Sequence, residues 1–392
     1  MIDVSQALTL VLQQSFDWGT EAVPLHHSTG RVLRQEVRAD RDQPPFDRVA
    51  MDGIALDHAA YAAGQRRFPV SHLAPAGAPA RAVRDASHCV EVMTGAPLPP
   101  GTTTVIRYED LEQDGNAFLV PEGVVDGRSI HRRGKDAGAG DLVMEPGVRI
   151  GPAELAVLAT YGVARPRVAR LPRVAIASTG DEVVAVDRQP ADHQIRGSNV
   201  YQLAGLFRAA GVEATIGHLP DREAAGRAAL TELLAGHDLL LLSGGVSKGK
   251  LDHIPDWLAS AGVRRLFHRV AQRPGKPLWV GRTGETMVFA LPGNPASSLV
   301  GAVAYVGPWL RRQLGLPPKE TYAELAEAVK FPPNLTFYCA ANRQDQLARP
   351  VPNSGSGDLV SLLRTDGFVV LPPDRTEFAR GGRFPFLPLS LL

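Results

Sequence analysis

The chain has 392 residues, with 42 Lys and Arg against 41 Asp and Glu, and is 44% apolar and 21% charged. That length exceeds one ordinary core and points to two to four domains of a soluble globular protein. The near-zero net charge gives no bulk reason to expect nucleic acid or an anionic membrane as a partner. Cys89 and Cys339 are far apart and match no metal spacing, so they read as two unpaired thiols of a reducing compartment. The N-terminus lacks a basic run followed by an apolar one, and the longest apolar stretch, residues 296–310, is interrupted by Gly301, Gly307 and Pro308. No signal peptide and no membrane span are expected, and the expected location is the cytoplasm.

In chain order, residues 1–26 read as a helix and a turn, because Val4, Ala7, Leu8, Val11 and Leu12 recur at helical spacing. Residues 27–144 are rich in Gly, Pro and short β-prone runs, which predicts a small β-rich domain. Residues 145–171 carry a second helical pattern and are expected to pack back on the first, making one discontinuous elongated domain. Residues 172–316 alternate short, continuous apolar runs with amphipathic helices, the pattern of a doubly wound α/β domain on a parallel sheet. In it, Ser198 or Asn199 is placed to cap a helix over 200–210, Asp221 to cap one over 223–234, and Pro295 suits a first turn. Residues 317–392, after Pro317 and Pro318, read as a C-terminal β domain. The fold class is therefore α/β multidomain.

Ligands of an open parallel sheet bind beyond the carboxyl ends of its strands. Three such ends carry unusual loops: Thr179–Glu182, Gly244–Asp252 and Pro292–Pro295. Glycines at Gly244, Gly245 and Gly293 let backbone amides approach an oxyanion, and the helix start after Asn294 favours phosphate. Glu182 and Asp252 offer hard oxygens suited to Mg²⁺, and Asp221, after the run TIGHLP, can join them. Taken singly, each loop is an ordinary turn and Asp221 an ordinary helix cap. Together the three loops predict a crevice for a phosphorylated ligand and a metal. Residues 244–250 also fit G-x-x-x-x-G-K, but Leu251 replaces the Ser or Thr that would hold Mg²⁺, which argues against a phosphate-loop hydrolase. Upstream, Pro44–Gly53, Thr94–Gly101 and Gly134–Asp136 are dense polar turns.

Taken as an ordered set, these runs resemble the molybdopterin molybdenumtransferase family, bacterial MoeA and the homologous domain of gephyrin. The matching segments are PPFDRVAMDGIA, MTGAPLPPG, RRGKDAGAGD, STGDE, RGSNVYQLAGLFRAAG, LLSGGVSKGKLDHIP, QRPGKPLWVG, ALPGNPASS and SGSGDLVSLLRTDGFVVLP. The resemblance implies four parts per subunit and a homodimer whose clefts are lined by both subunits. It implies insertion of molybdate into adenylylated molybdopterin, assisted by Mg²⁺, with release of AMP, downstream of a molybdopterin adenylyltransferase. Carried over by position, Asp52, Glu182, Asp221 and Asp252 are the catalytic carboxylates, the last three also metal ligands. Thr94, Asp136, Gly244, Gly245, Ser247, Lys276, Pro292, Gly293, Asn294 and Pro295 are the implied substrate-binding set. The chain departs from the family pattern at Val49 (often Ser), Ile54 (often Tyr), Lys248 (often uncharged) and Lys250 (often acidic). Two alternatives share the α/β fold: the adenylyltransferase itself, against which the long flanking domains argue, and a scaffold that binds a partner peptide, against which the four retained carboxylates argue.

Overall fold

The computed structural model describes residues 1–246 and 253–392. The first helix, Val4–Leu12, starts where the Asp3 carboxylate accepts the Gln6 amide at 2.7 Å, and it buries Ala7 and Val11. Strand Thr20–Ala22 then pairs antiparallel with Arg167–Ala169, and Val37–Arg38 with Leu142–Met144. Leu33, Val37, Met144, Ile150, Leu158 and Val168 close one core between these strands and the helix Pro152–Thr160. Two distant stretches of sequence thus share one core, and residues 28–39 hydrogen-bond within it.

The chain between them folds into a six-stranded sheet. Its order is Thr104–Arg107, Gly53–Leu56, Cys89–Val92, Arg67–Ala74, Ala117–Leu119, Glu112–Asp114. Gly53 is required where its strand crosses Ile106, because a Cβ there would lie 1.9 Å from the Ile106 carbonyl oxygen. Cys89 and Cys339 are both buried and unpaired.

Residues 172–316 form the α/β unit. Its sheet runs Ala214–Leu219, Val174–Thr179, Leu239–Ser243, Thr286–Leu291, Trp279–Thr283, Arg264–His268. The first four strands are parallel, and the last two are antiparallel. The all-parallel expectation fails at this edge because the sheet returns on itself through the tight turn between Thr283 and Thr286. In the central strands successive residues face opposite layers. Ile176, Leu239, Leu241 and Phe289 pack under the helix Asn199–Ala209 and the long helical run from Pro295. Ala175, Ala177, Leu240 and Leu242 pack under the helices Glu223–Gly236 and Ile254–Ser260. Burial on both faces is why these strands read as unbroken apolar runs. The helical run continues from Pro295–Gly301 through a wider π turn, Ala302–Val306, into Gly307–Gln313.

Asp238 of the α/β unit, 8% exposed at its side chain, bonds to Arg173 within the unit and to Arg170 just before it. Its carboxylate accepts from Arg170 Nη1 (2.9 Å) and from Arg173 through the amide (2.8 Å), Nε (3.3 Å) and Nη2 (3.0 Å). Burial works against the charge, but the hydrogen bonds from Arg173 and Arg170 outweigh it and hold this carboxyl at about 2. The C-terminal strands Thr336–Gln344, Leu347–Pro350, Tyr322–Leu325, Arg383–Pro388 and Gly367–Leu371 close into a barrel, since the first also pairs with the last. The two-residue strand Gln272–Arg273 of the α/β unit joins that barrel's edge, parallel to Thr336–Phe337.

Candidate active site

The register of the parallel strands sets the site. Ser178 lies opposite Ser243, Ser243 opposite Leu291, and Thr179 opposite Leu219. Four strand ends are therefore level, and the loops that follow them stand side by side.

The acidic loops are tied first. The Asp181 amide donates to Asp221 Oδ2 (3.2 Å), and the Asp221 amide donates to Asp181 Oδ1 (3.0 Å). This reciprocal pair fastens the Asp221 loop to the loop that carries Glu182, whose carboxylate lies over Gly180; Asp221 and Glu182 are both exposed. It also corrects the cap expected at Asp221: the following helix begins after Arg222 with no side-chain cap, because the Asp221 carboxylate is turned to the neighbouring loop.

The glycine loops are tied next. Gly244 adopts φ +107°, and a Cβ on it would sit 2.5 Å from Thr179 Oγ1. A Cβ on Gly293 would lie only 3.7 Å from the Gly244 Cα, so the second and third loops touch. Asn199 binds them together, since its Nδ2 donates to Ser243 Oγ (2.9 Å) and to the Gly293 carbonyl (2.6 Å). Neither Ser198 nor Asn199 caps its helix through a side chain, contrary to the expectation, because Asn199 is engaged across the strand ends. The remaining oxygen of Asn199, Oδ1, is buried and makes no hydrogen bond among the described residues. Asn199 is a site residue that sequence reasoning treated only as a cap; the signal was its place directly beyond the RGS turn.

The third loop is shared with the barrel. Asn294 Nδ2 donates to Ser356 Oγ (2.7 Å), and the Ala296 amide donates to the Ser356 carbonyl (3.2 Å). One first-turn amide expected to face phosphate is thus taken by the C-terminal unit. Pro295 occupies the first turn, and Ser298 Oγ donates to the Pro292 carbonyl at 2.6 Å, locking the bend. Lys276 is exposed on the turn between Gln272 and Leu278, beside that same helix start.

A second group lies in the inserted sheet. Asp52 accepts the Thr94 amide (2.6 Å) and the Thr94 hydroxyl (2.8 Å) on one oxygen. The Thr94 amide, then its hydroxyl, hold this exposed carboxyl below its ordinary value. Asp136 pairs with His131 Nε2 at 2.9 Å, and His131 Nδ1 meets Arg48 at 3.0 Å. Among the described residues, Asp52 and Thr94 make no hydrogen bond or ion pair to the α/β loops of their own chain. Ser247 and Asp252, with Lys248 and Lys250, lie outside the described residues. Among the described residues no group of three or more His, Cys, Asp or Glu side chains can hold a metal ion. Glu182 and Asp221 provide the hard oxygens that Mg²⁺ takes, but not a complete ligand set. No helix of the described residues is long and apolar enough to cross a membrane.

Comparison with known proteins decides the family. Residues 2–162 match the MoeA N-terminal region (domain I and II), residues 175–312 a probable molybdopterin binding domain, and residues 322–389 the MoeA C-terminal region (domain IV). A molybdopterin molybdenumtransferase of Synechocystis sp. is 33% identical, the match covering 98% of this chain and 99% of the relative. The chain belongs to the MoeA family. A second molybdopterin molybdenumtransferase, from Bacillus subtilis, is 32% identical over 97% of this chain and 92% of its own length. The crystal structure of a molybdopterin biosynthesis MoeA protein from Pyrococcus horikoshii OT3 superposes with a TM-score of 0.82 at 26% identity, covering 98% of this chain and 99% of that one. The α/β multidomain architecture is that of this MoeA fold.

Proposed function

We propose that this chain is a molybdopterin molybdenumtransferase, a cytoplasmic enzyme that inserts molybdate into adenylylated molybdopterin and releases AMP. The observation that carries the reading is the convergence of three loops at level strand ends, in a chain related along almost its whole length to proteins of that name.

The substrate joins a nucleotide phosphate to a pterin phosphate, and its dithiolene sulfurs must receive an oxyanion. Gly244, Gly245 and Gly293 open the backbone for close approach of phosphate oxygens. Pro292, Asn294 and Pro295 shape the wall beside them, and Lys276 and Ser247 contribute to anion binding. Mg²⁺ would be held by Glu182, Asp221 and Asp252, and when bound it offsets charge on the phosphates. The tie between Asp181 and Asp221 holds the two acidic loops side by side, which limits the backbone reorganisation that binding needs.

Asp52 and Thr94, with Asp136 nearby in the same unit, complete the cleft from a second copy of the chain in a homodimer. Among the described residues they make no polar contact to the α/β loops of their own chain, which supports this assignment. With its carboxyl held below the ordinary range, Asp52 stays ionised at neutral pH and accepts hydrogen bonds from substrate. The division of labour proposed among the parts is an elongated domain that spaces the cleft, an inserted β domain that closes it, the α/β domain that binds substrate, and the C-terminal barrel.

The test is direct incubation with adenylylated molybdopterin, Mg²⁺ and molybdate. Molybdate-dependent release of AMP with formation of molybdenum cofactor supports the reading. Adenylylation of molybdopterin from ATP, with no insertion, replaces it with the upstream transferase.

A further inference from the structure

The turn that presents Lys276 is braced from beneath by two groups, Gln272 and Tyr305, to which the motif reading gives no role. Gln272 is 1% exposed, and its Nε2 donates to the carbonyls of Pro274 (3.2 Å) and Gly275 (3.3 Å). Its Oε1 accepts the Tyr305 hydroxyl at 2.5 Å. Both ends of a buried amide are therefore used, one on the turn and one on the helical run. Tyr305 is fully buried and sits in the π turn Ala302–Val306, where the helix widens, a feature frequent at functional sites. Burial pushes its phenol far above the ordinary range, so it remains a donor at any working pH.

The backbone around the turn is clamped from three sides. The Ile2 amide donates to the Arg269 carbonyl (3.2 Å), and the Ala271 amide to the Ile2 carbonyl (2.8 Å). The Thr336 amide of the barrel donates to the Ala271 carbonyl (3.0 Å). A Cβ on Gly275 would lie 3.4 Å from the Ser297 carbonyl oxygen, so the turn rests on the first turn of the site helix. The turn itself closes through the Val270 amide on the Lys276 carbonyl at 3.0 Å. Fixing the Pro274 and Gly275 carbonyls fixes the peptide planes that lead into Lys276. Among the described residues the exposed Lys276 side chain makes no hydrogen bond or ion pair.

We propose that Gln272, held by Tyr305, is a positioning residue that sets the place of Lys276 at the molybdate end of the site. This rests on the reading of Lys276 as an anion-binding group. A long, exposed lysine loses much freedom when it binds, and a rigid base lowers that cost. The role belongs to binding, so it appears in the molybdate KM more than in kcat.

The test is a double-mutant cycle on the full-length enzyme, read by molybdate KM and kcat separately. Gln272→Leu is expected to raise the molybdate KM about tenfold, with a smaller change in kcat. Tyr305→Phe, which keeps the ring and the packing, is expected to move it the same way by about threefold, and it serves if Gln272→Leu fails to fold. In a Lys276→Ala background both effects should vanish. If the Gln272 and Lys276 effects multiply independently, or if both brace variants leave KM unchanged, the positioning role is overturned while the site reading stands. If Lys276→Ala alone changes nothing, the anion-binding role of Lys276 falls and the brace with it.

Discussion

Asp238 offers the most quantitative test of what anchors the start of the α/β unit, since it holds Arg173 within the unit and Arg170 just before it. Its carboxyl is held at about 2 instead of the ordinary 3.8, through hydrogen bonds from Arg173 and Arg170 that overcome burial. At 1.36 kcal/mol for each pH unit, the ionised form contributes about 2.5 kcal/mol to folding at neutral pH. Asp238→Asn removes that charge with little change of volume. It is expected to cost about 2.5 kcal/mol, which lowers the melting temperature of the α/β unit by roughly 5–10 °C. The sign against pH is fixed. A carboxyl depressed on folding stabilises above its unfolded value, and that contribution is lost as pH falls from about 4 to about 2. Calorimetric melts of both proteins at pH 7 and at steps down to pH 2 check this. Equal melting temperatures at pH 7, or a gap that persists unchanged at pH 2, would refute the reasoning.

Other outcomes follow from the site. Asp52→Asn should reduce insertion by about a hundredfold or more without lowering the melting temperature, as single-turnover AMP release would show. Thr94→Val removes the hydroxyl donor and so raises the Asp52 carboxyl, which should move the acid limb of kcat/KM to higher pH; an unmoved limb disconnects Asp52 from the chemistry. Asn199→Ala frees the Gly293 carbonyl and should raise the substrate KM roughly tenfold, with a stability loss of about 1–2 kcal/mol. Chelation of divalent ions should stop AMP release and leave the thermal melt unchanged, and added Mg²⁺ should restore it. Mixing Asp52→Ala with Asp221→Ala subunits should recover about a quarter of wild-type activity, since half of randomly mixed dimers carry one intact cleft. No recovery would place both carboxylates in the cleft of a single chain.

The α/β unit was legible in the sequence because its strands are buried on both faces. Runs such as 174–177 and 239–242 are unbroken apolar stretches that turn polar only at the strand ends, Ser178, Thr179 and Ser243, where the ligand loops follow. The antiparallel edge was not legible. Trp279–Thr283 begins as apolar as a parallel strand, and the reversal lies in the two-residue turn that leads from it into the parallel strand Thr286–Leu291. The extent of the elongated unit was obscured for a related reason. Val37–Arg38 and Leu142–Met144 are strands of two and three residues, too short for any period to register, and they meet across more than a hundred residues. At the site, motif runs named the loops but not what fastens them. Asn199 resembled a cap and Gln272 was given no role, because their partners, Gly293 and Tyr305, are distant in sequence. The reciprocal bonds of Asp181 and Asp221 were hidden for the same reason.

A crystal of the protein soaked with molybdate, Mg²⁺ and AMP tests the shared pocket most directly. Anion and metal density is expected between the Gly244–Gly245 and Pro292–Pro295 loops, beside Glu182 and Asp221, with Asp52 and Thr94 of a neighbouring copy facing it. Density for these species elsewhere, with those loops bare at saturating concentrations, would contradict it.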